Sequence, residues 1–503
     1  MKKTAVFIIL FALISKVLGF FRDILLSYFY GASPISDAYL ISQIIPSTIF
    51  GLIAAGIATS YIPVFSRVVN EKTERSANLF NNNVVNFLMI LSTIIILGVG
   101  IFTEPLVKVF ASGFTDESFE LAVRFTRISI IGIYFTGLIF LFSGFLQFKD
   151  SFLIVALSGI PLNLIFMLSI ALSSKMHSDI LPIGYVIALA VQFAVLVPLI
   201  LKKGYRYRTV FDVKDRYMKS ILLLAMPVIL GTSVDQVNVL VDMTLASRIS
   251  VGGVTALSYA SRLNYLIQGI FVLSIATLIF PQLSRMASVR NIDGIKDSLK
   301  QSIVAINLLV IPTSILMLFF SQEIVELLFG RGAFDGDALV MTTQALFFYT
   351  IGMIGIALRE ILSKVFYALE DTKTPMINAA IAMVLNIVLN LILSRYMGIG
   401  GLALASSIAA LIAVWLMARS LKKKIGVFAD RALWATSGKI LLVSLASVAL
   451  AKTGYVILGN GNTIALIGFL AVAGIVYVVI LFVSGIKELE DITRLVQSKI
   501  GRK

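Results

Sequence analysis

Cysteine is absent from all 503 residues, which excludes a disulfide framework and a thiolate metal centre. Histidine occurs once, as His177 in a short loop, and a lone imidazole does not supply the several N or S ligands that zinc needs. Charge is scarce too. Charged residues make up 14% of the chain against 58% hydrophobic residues, a balance foreign to soluble domains of this size. The sequence has no G-x-x-x-x-G-K-[ST] phosphate loop, no H-E-x-x-H helix and no G-x-S-x-G elbow. Nothing therefore points to ATP hydrolysis, metalloprotease or serine-hydrolase chemistry. The connections are too short to host a catalytic domain. Net charge is +15, which in so apolar a chain marks cytoplasmic loops rather than nucleic-acid binding.

What the sequence does have is long apolar runs. Fourteen reach the ~20 residues that cross a hydrocarbon core. They lie near 4–30, 37–68, 84–109, 120–147, 151–173, 180–201, 217–248, 255–285, 299–320, 339–369, 374–396, 400–421, 433–453 and 462–486. These predict an all-α polytopic membrane protein with 14 transmembrane helices. Met1-Lys2-Lys3 resembles a signal-peptide start, but no small-x-small cleavage site precedes Lys16, so the first run reads as an uncleaved helix. Connections 31–36 and 249–254 carry no Lys or Arg, and 321–338 carries only Arg331. The alternate connections are basic, with Lys202, Lys203, Arg206, Arg208, Lys214 and Arg216 in one and Lys422, Lys423 and Lys424 in another. The positive-inside rule predicts that both termini are cytoplasmic.

The chain repeats itself. Ile57-Ala58-Thr59, Pro63 and Ser66-Arg67 recur as Ile275-Ala276-Thr277, Pro281 and Ser284-Arg285, at a constant offset of 218 residues. Leu162-Asn163 is echoed more weakly by Leu385-Asn386. The offset covers six helices, an even number, so the halves share an orientation and are related by an axis along the membrane normal. The expectation is two pseudo-symmetric six-helix lobes, 1–201 and 202–424, followed by 425–503 with two added helices and a cytoplasmic tail. Transporters built this way place substrate between the lobes and alternate their access.

Charges inside the apolar runs are the candidate site. Lys16, Arg22 and Asp23 lie in the first run, where each costs about 2.5–3.5 kcal/mol at mid-membrane. Lys16, Gly19 and Asp23 share a helical stripe, with Arg22 beside it, as expected for a polar cavity. The alternative is that Arg22 and Asp23 mark a membrane interface. Helix seven carries Asp235, Asn238 and Asp242 on one face, and helix eight carries Arg262. Asp235 with Asn386, Asn390 and Ser406 offers one carboxylate and several neutral oxygens, a set that suits sodium. Interhelical hydrogen bonding explains the Asn and Ser residues equally well. Arg359, Glu360 and Lys364 lie together on helix ten, where Glu360 and Lys364 are spaced as a structural pair.

Gly19-Phe20-Phe21-Arg22-Asp23, Phe29-Tyr30-Gly31-Ala32, Ser36-Asp37-Ala38-Tyr39 and Tyr61-Ile62-Pro63-Val64-Phe65 resemble the opening of the MurJ (MviN) lipid II flippases. Arg359-Glu360, Phe366-Tyr367-Ala368-Leu369 and Asp371-Thr372-Lys373-Thr374-Pro375 resemble the exit of that family's tenth helix. The resemblance implies the MOP exporter superfamily, with two extra helices forming a groove for the lipid tail. It implies a basic cavity for the substrate diphosphate, with Arg22 and Arg262 at matching positions and Asp37 as a required acid. Lys16 replaces an arginine often found there, which keeps the charge and loses the bidentate fork. Phe50 stands where the family commonly has another arginine, and Ala55 where it commonly has a glutamate.

The function expected is transfer of an undecaprenyl-diphosphate-linked peptidoglycan precursor from the inner to the outer leaflet of the bacterial cytoplasmic membrane. It is secondary transport and not enzymatic, with Lys16, Arg22, Asp23, Asp37 and Arg262 on the substrate and sodium as the candidate ion. Neither nucleic acid nor an obligate protein partner is expected. Two alternatives stay open: a flippase for another polyprenyl-diphosphate oligosaccharide, and a cation-coupled drug exporter, which the basic cluster disfavours. A glycan polymerase would need a catalytic carboxylate in an external loop, where only Asp335 and Asp337 qualify.

Overall fold

The computed structural model describes residues 2–459 and 461–483, and among them every regular element is helical. A helix satisfies each backbone N–H and C=O within its own segment, as a span through hydrocarbon requires. In order the helices are α1 (Lys2–Tyr30), α2 (Pro34–Glu71), α3 (Glu74–Ile101), α4 (Thr103–Phe110), α5 (Asp116–Ser129), α6 (Ile133–Phe148), α7 (Phe152–Leu157), α8 (Gly159–Ser173) and α9 (Ile180–Lys202). There follow α10 (Arg216–Ile249), α11 (Gly253–Ser288), α12 (Ile292–Phe319), α13 (Ser321–Phe329), α14 (Gly336–Ala368), α15 (Lys373–Ile425), α16 (Arg431–Leu458) and α17 (Thr463–Val483). The expected tail beyond 483 lies outside the described residues.

Among the described residues ten helical stretches are long and apolar enough to cross a bilayer, or up to twelve if bent α10 and α11 each count as one span. The fourteen read from the sequence are not reached on this count. Part of the gap is α15, 53 residues long and broken at Gly398, whose φ of 57° and ψ of −134° are non-helical. A continuous helix of that length would run about 80 Å, far more than one ~30 Å core. The break separates the runs expected as helices eleven and twelve. Large apolar side chains such as Ile94, Leu97 and Ile464 remain exposed, as a lipid-facing surface requires.

Packing divides the chain into two units, Met1–Ala256 with Arg331–Ala338, and Leu257–Gly330 with Leu339–Lys503. Helix α10 groups with the first unit, where it lies along α2. The core of this unit is aromatic. Phe65 meets Phe145 and Phe148 edge-on at centroid distances of 5.8 and 5.0 Å, and Phe142 meets Tyr205 at 4.9 Å. Phe50 belongs to this core and is 1% exposed, seated over Gly137. An arginine there would have to leave water for an apolar site, so the departure at position 50 suits this packing.

In the second unit α16 and α17 pack on α12. The Tyr477 hydroxyl donates to the Leu308 carbonyl at 2.8 Å. Lys452 pairs with Glu323 and lies 4.7 Å from the Phe320 ring centroid. Apolar side chains of α12, α14 and α16, among them Ile311, Leu318, Ile354 and Trp434, enclose a cavity of about 510 Å³.

Short polar devices close the helix ends. Ser33 and Ser36 form a reciprocal capping box at α2. Between α14 and α15, Asp371 accepts from the Thr374 amide at 2.9 Å and hydroxyl at 2.7 Å and pairs with Lys424. Burial alone would raise the Asp371 pKa, but Lys424 and Thr374 overcome it and hold the group lowered to about 2. A depressed carboxyl pKa stabilises the fold above the unfolded value near 3.9, and that contribution is lost as pH falls toward 2. Asp371→Asn is therefore expected to lower Tm by the same amount at pH 7 and pH 5. A deficit that shrinks between these two values would show that the carboxylate is not held in this way.

Candidate functional site

The charged stretch of α1 is positioned by α8. The Asn163 side chain donates to the Ser15 carbonyl at 3.1 Å and to its own-helix Gly159 carbonyl at 2.8 Å. Its amide also covers Gly19, where an added Cβ would stand 3.4 Å away. The Tyr30 hydroxyl donates to Ser173 at 2.8 Å. Contacts at 15, 22 and 30 on α1 meet 163, 166 and 173 on α8 in the same order, so the two helices run parallel.

Arg22 sits between these anchors. Its Nε and Nη2 both donate to Asp23 Oδ1, at 3.1 and 3.0 Å. The guanidinium carbon lies 4.9 Å from the Phe166 ring centroid, stacking the cation on an aromatic face. Asp23 is buried, Arg22 partly buried and Lys16 exposed. The stripe expected to carry Lys16, Gly19 and Asp23 thus divides, with Gly19 and Asp23 turned inward and Lys16 outward. The Arg22–Asp23 pair uses one carboxylate oxygen, and the Nη1 edge of the guanidinium lies outside it.

Asp37 does something the sequence did not suggest. It is 2% exposed, and its carboxylate caps a helix 215 residues away in the chain. Oδ2 accepts from the Gly252 amide at 2.8 Å. Oδ1 accepts from the Thr255 amide at 2.8 Å and hydroxyl at 2.6 Å. These donors belong to the start of α11, where unpaired amides and the helix dipole favour an anion. Gly252 is the residue before the helix and has no side-chain oxygen of its own, so Asp37 takes the capping role from outside. Gly252 has φ of +77°, and a Cβ there would approach the Ala32 carbonyl oxygen to 2.4 Å. Nearby the Ala333 amide donates to the Tyr28 carbonyl at 2.9 Å. The end of α1, the start of α2 and the connections 249–254 and 331–335 are thereby tied together within the first unit. In this state the Asp37 carboxylate is occupied as a clamp.

In the second unit Arg262 is partly buried on α11, two residues before Asn264, which accepts from Gln268 at 2.9 Å. Asn390 donates to Asn386 Oδ1 at 2.8 Å and Asn386 donates to Ser406 at 3.2 Å, so these three candidates do meet. Asp235, their expected companion, is exposed and belongs to the first unit with α10. Among the described residues no three His, Cys, Asp or Glu side chains cluster as a metal-binding group. Lys364 pairs with Glu360 at 2.9 Å, the structural pairing their spacing implied. Sequence reasoning missed Phe166 and Thr255. Asn163 was visible only as a repeat echo of Asn386, and both side chains are buried and hydrogen-bonded to neighbouring helices or turns.

The family model described as "Lipid II flippase MurJ" matches residues 26–471. A protein named "Probable lipid II flippase MurJ" from Buchnera aphidicola subsp. Baizongia pistaciae (strain Bp) is 30% identical over 430 residues, covering 83% of each chain. A solved structure titled "Lipid II flippase MurJ, inward closed conformation" superposes with a TM-score of 0.78 at 25% identity, covering 95% of this chain and 100% of that one. An inward-facing multidrug resistance MATE family transporter of the MOP superfamily gives a TM-score of 0.73 at 15% identity, over 84% of this chain and 96% of that one, and so shares the fold.

Removing the Asp37 carboxylate leaves two buried amides and a hydroxyl without their acceptor, at a cost of about 1–3 kcal/mol for each group. Asp37→Ala is expected to raise hydrogen–deuterium exchange in the first turn of α11 by at least roughly tenfold, while Asp37→Asn retains part of the protection. Unchanged exchange at 252–256 in Asp37→Ala would rule out the clamp.

Proposed function

The chain belongs to the MurJ lipid II flippase family, and from that premise we propose that it moves lipid II from the inner to the outer leaflet of the bacterial cytoplasmic membrane by alternating access. The observation that carries the reading is Arg22, a cation kept inside the first apolar helix on the Phe166 face and only partly used by Asp23. A diphosphate arriving there meets a preorganised guanidinium edge. Charge-assisted bonds to phosphate are short and roughly twice as strong as neutral ones, more so where water is excluded. Asp23 keeps the cation neutralised between cycles, and substrate takes over that role on binding. Lys16 and Arg262 are the further cations assigned to the diphosphate. The apolar cavity along α16 suits a segment of the prenyl chain.

A ligand shifts a conformational equilibrium only by binding its states unequally. The Asp37 clamp supplies the opposing term. It favours the state in which the start of α11 is held, so substrate binding has to outweigh it before that end opens. The orientation proposed puts both termini in the cytoplasm and the clamp on the far side. A second reading, transport of another polyprenyl-diphosphate-linked glycan, is favoured by Phe50, a core residue at a position expected to carry a cation. Transport of labelled lipid II against such a glycan in proteoliposomes separates the two.

Arg22→Ala is expected to reduce lipid II transport on the order of 10–100-fold, the equivalent of one charged hydrogen bond, with insertion and fold retained. Arg22→Lys is expected to recover part of the rate. Normal transport by Arg22→Ala would remove the diphosphate contact.

Sodium is the ion proposed, with Asp235 as its carboxylate and Asn386, Asn390 and Ser406 as the neutral oxygens. Sodium is expected to raise Tm relative to potassium, and Asp235→Asn and Asn386→Ala to abolish that difference. Identical melting of the parent protein in both salts would leave these residues with a structural or proton-carrying role.

A further inference from the structure

Four asparagines at the start of α3 have no part in transport as described above. Asn78, Asn82 and Asn86 are spaced at i, i+4 and i+8, and Asn83 lies beside them. Their side chains bind one edge of the extended segment that joins α9 to α10. Asn78 accepts from the Arg206 amide at 3.2 Å and donates to the Arg206 carbonyl at 2.8 Å. Asn82 donates to the Arg206 carbonyl at 2.9 Å and accepts from the Arg208 amide at 3.0 Å. Asn86 donates to the Val210 carbonyl at 2.9 Å. Asn83 exchanges both bonds with the Asp212 backbone at 2.7 Å each.

The match is geometric. Four residues of helix rise about 6 Å, and two residues of strand about 6.6 Å, so every second residue of the segment meets the next asparagine. The segment runs beside α3 as far as Asn86 and turns back at Asp212 to the level of Asn83. Asn86 is twelve residues, about 18 Å, into α3 and two residues into the third apolar run, 84–109, so the ladder reaches the boundary of the membrane. Non-helical backbone entering that boundary requires protein partners for its polar groups. The asparagine side chains are those partners.

What the segment turns outward is equally specific. Arg206, Arg208 and Lys214 are exposed, with Lys202 and Lys203 just before them. Between these cations stand Tyr207 at 60% and Phe211 at 51% exposure. Tyr207 is amphipathic in place, its hydroxyl donating to Asn86 at 2.8 Å while the ring faces out. Cations alternating with aromatic rings fit the boundary between headgroups and acyl chains. A soluble acidic partner would not require a side-chain ladder to satisfy the backbone.

We propose that residues 205–214 form an interfacial anchor that dips into the leaflet on the basic side of the bilayer and binds anionic phospholipid headgroups through Arg206 and Arg208. Phe211 and Tyr207 seat it among the upper acyl carbons, and the asparagine ladder keeps its backbone from exposing unpaired groups there. The inference rests on membrane embedding alone and is independent of what the protein transports.

The test uses the full chain in nanodiscs containing phosphatidylglycerol and phosphatidylcholine, with bromine on the acyl chains of one lipid or the other. Trp415→Phe and Trp434→Phe remove both native tryptophans, and Phe211→Trp places a single reporter at the tip. Quenching is expected, and it is expected to be at least about twofold stronger from brominated phosphatidylglycerol, since each arginine near an anionic surface enriches such lipid roughly fivefold. Arg206→Gln with Arg208→Gln is expected to equalise the two lipids while quenching persists. Equal quenching in the parent reporter would overturn the headgroup preference. An unquenched, water-exposed tryptophan would overturn the anchor altogether and leave the segment open to a soluble partner. The arginine variants leave the ladder intact, so the outcome does not depend on the fold surviving loss of the buried asparagines.

Discussion

Hydrocarbon offers no hydrogen bonds, and the described structure answers that constraint wherever its helices are interrupted or carry charge. An unpaired polar group in an apolar medium costs several kcal/mol, comparable with the whole stability of many domains. Asp37 is satisfied by three donors at the head of α11. The extended run 206–212 is satisfied by asparagines of α3. Arg22 is answered by Asp23 and by an aromatic face. These arrangements use the same few chemical groups in different roles, and each fixes a position that helix packing alone would leave loose.

Of the three, only the arrangement around Arg22 leaves bonding capacity on the cation. Both oxygens of the Asp37 carboxylate are engaged, and the ladder amides are engaged with backbone. A transporter needs this inequality. Elements that define a conformational state should have their valences filled inside that state, whereas the element that recognises cargo should be neutral enough to be stable and unfilled enough to bind. The comparison explains why two acids that look alike in sequence, Asp23 and Asp37, have different surroundings. One tempers a cation one residue away, and the other holds together parts of the chain that are more than 200 residues apart.

The sequence made much of the fold legible because hydropathy is local. A run of about 20 apolar residues implies a spanning helix whatever surrounds it, and Lys and Arg placement orders the connections. The charges of α1 were legible for the same reason, as exceptions to a local rule. Helix count was less so, since the bends in α10 and α11 and the break at Gly398 depend on single residues within continuous apolar patterns. The roles of Asp37 and of the asparagines were hidden because their partners are remote. The i, i+4, i+8 spacing of Asn78, Asn82 and Asn86 was in plain view, but nothing nearby said that an extended segment more than 120 residues on would meet it. Phe50 stands where the family commonly carries a cation, and its burial against Gly137, which no local pattern announces, makes it a wall of the aromatic core.

The ladder also sets the length of a leash. Asp212 is clipped to α3 by both of its backbone groups, and α10 begins at Arg216. Three residues, 213–215, connect the two, so even fully extended the link from Asp212 to Arg216 spans no more than about 14 Å. The near end of α10 is tethered to α3 like a mast stepped in its socket. It has room to pivot and little room to slide. Any large swing of this helix must therefore develop farther along, where it already bends by 46° between Ile229 and Gly231. The protein thus fixes where α10 hinges with a clip placed well away from the bend itself.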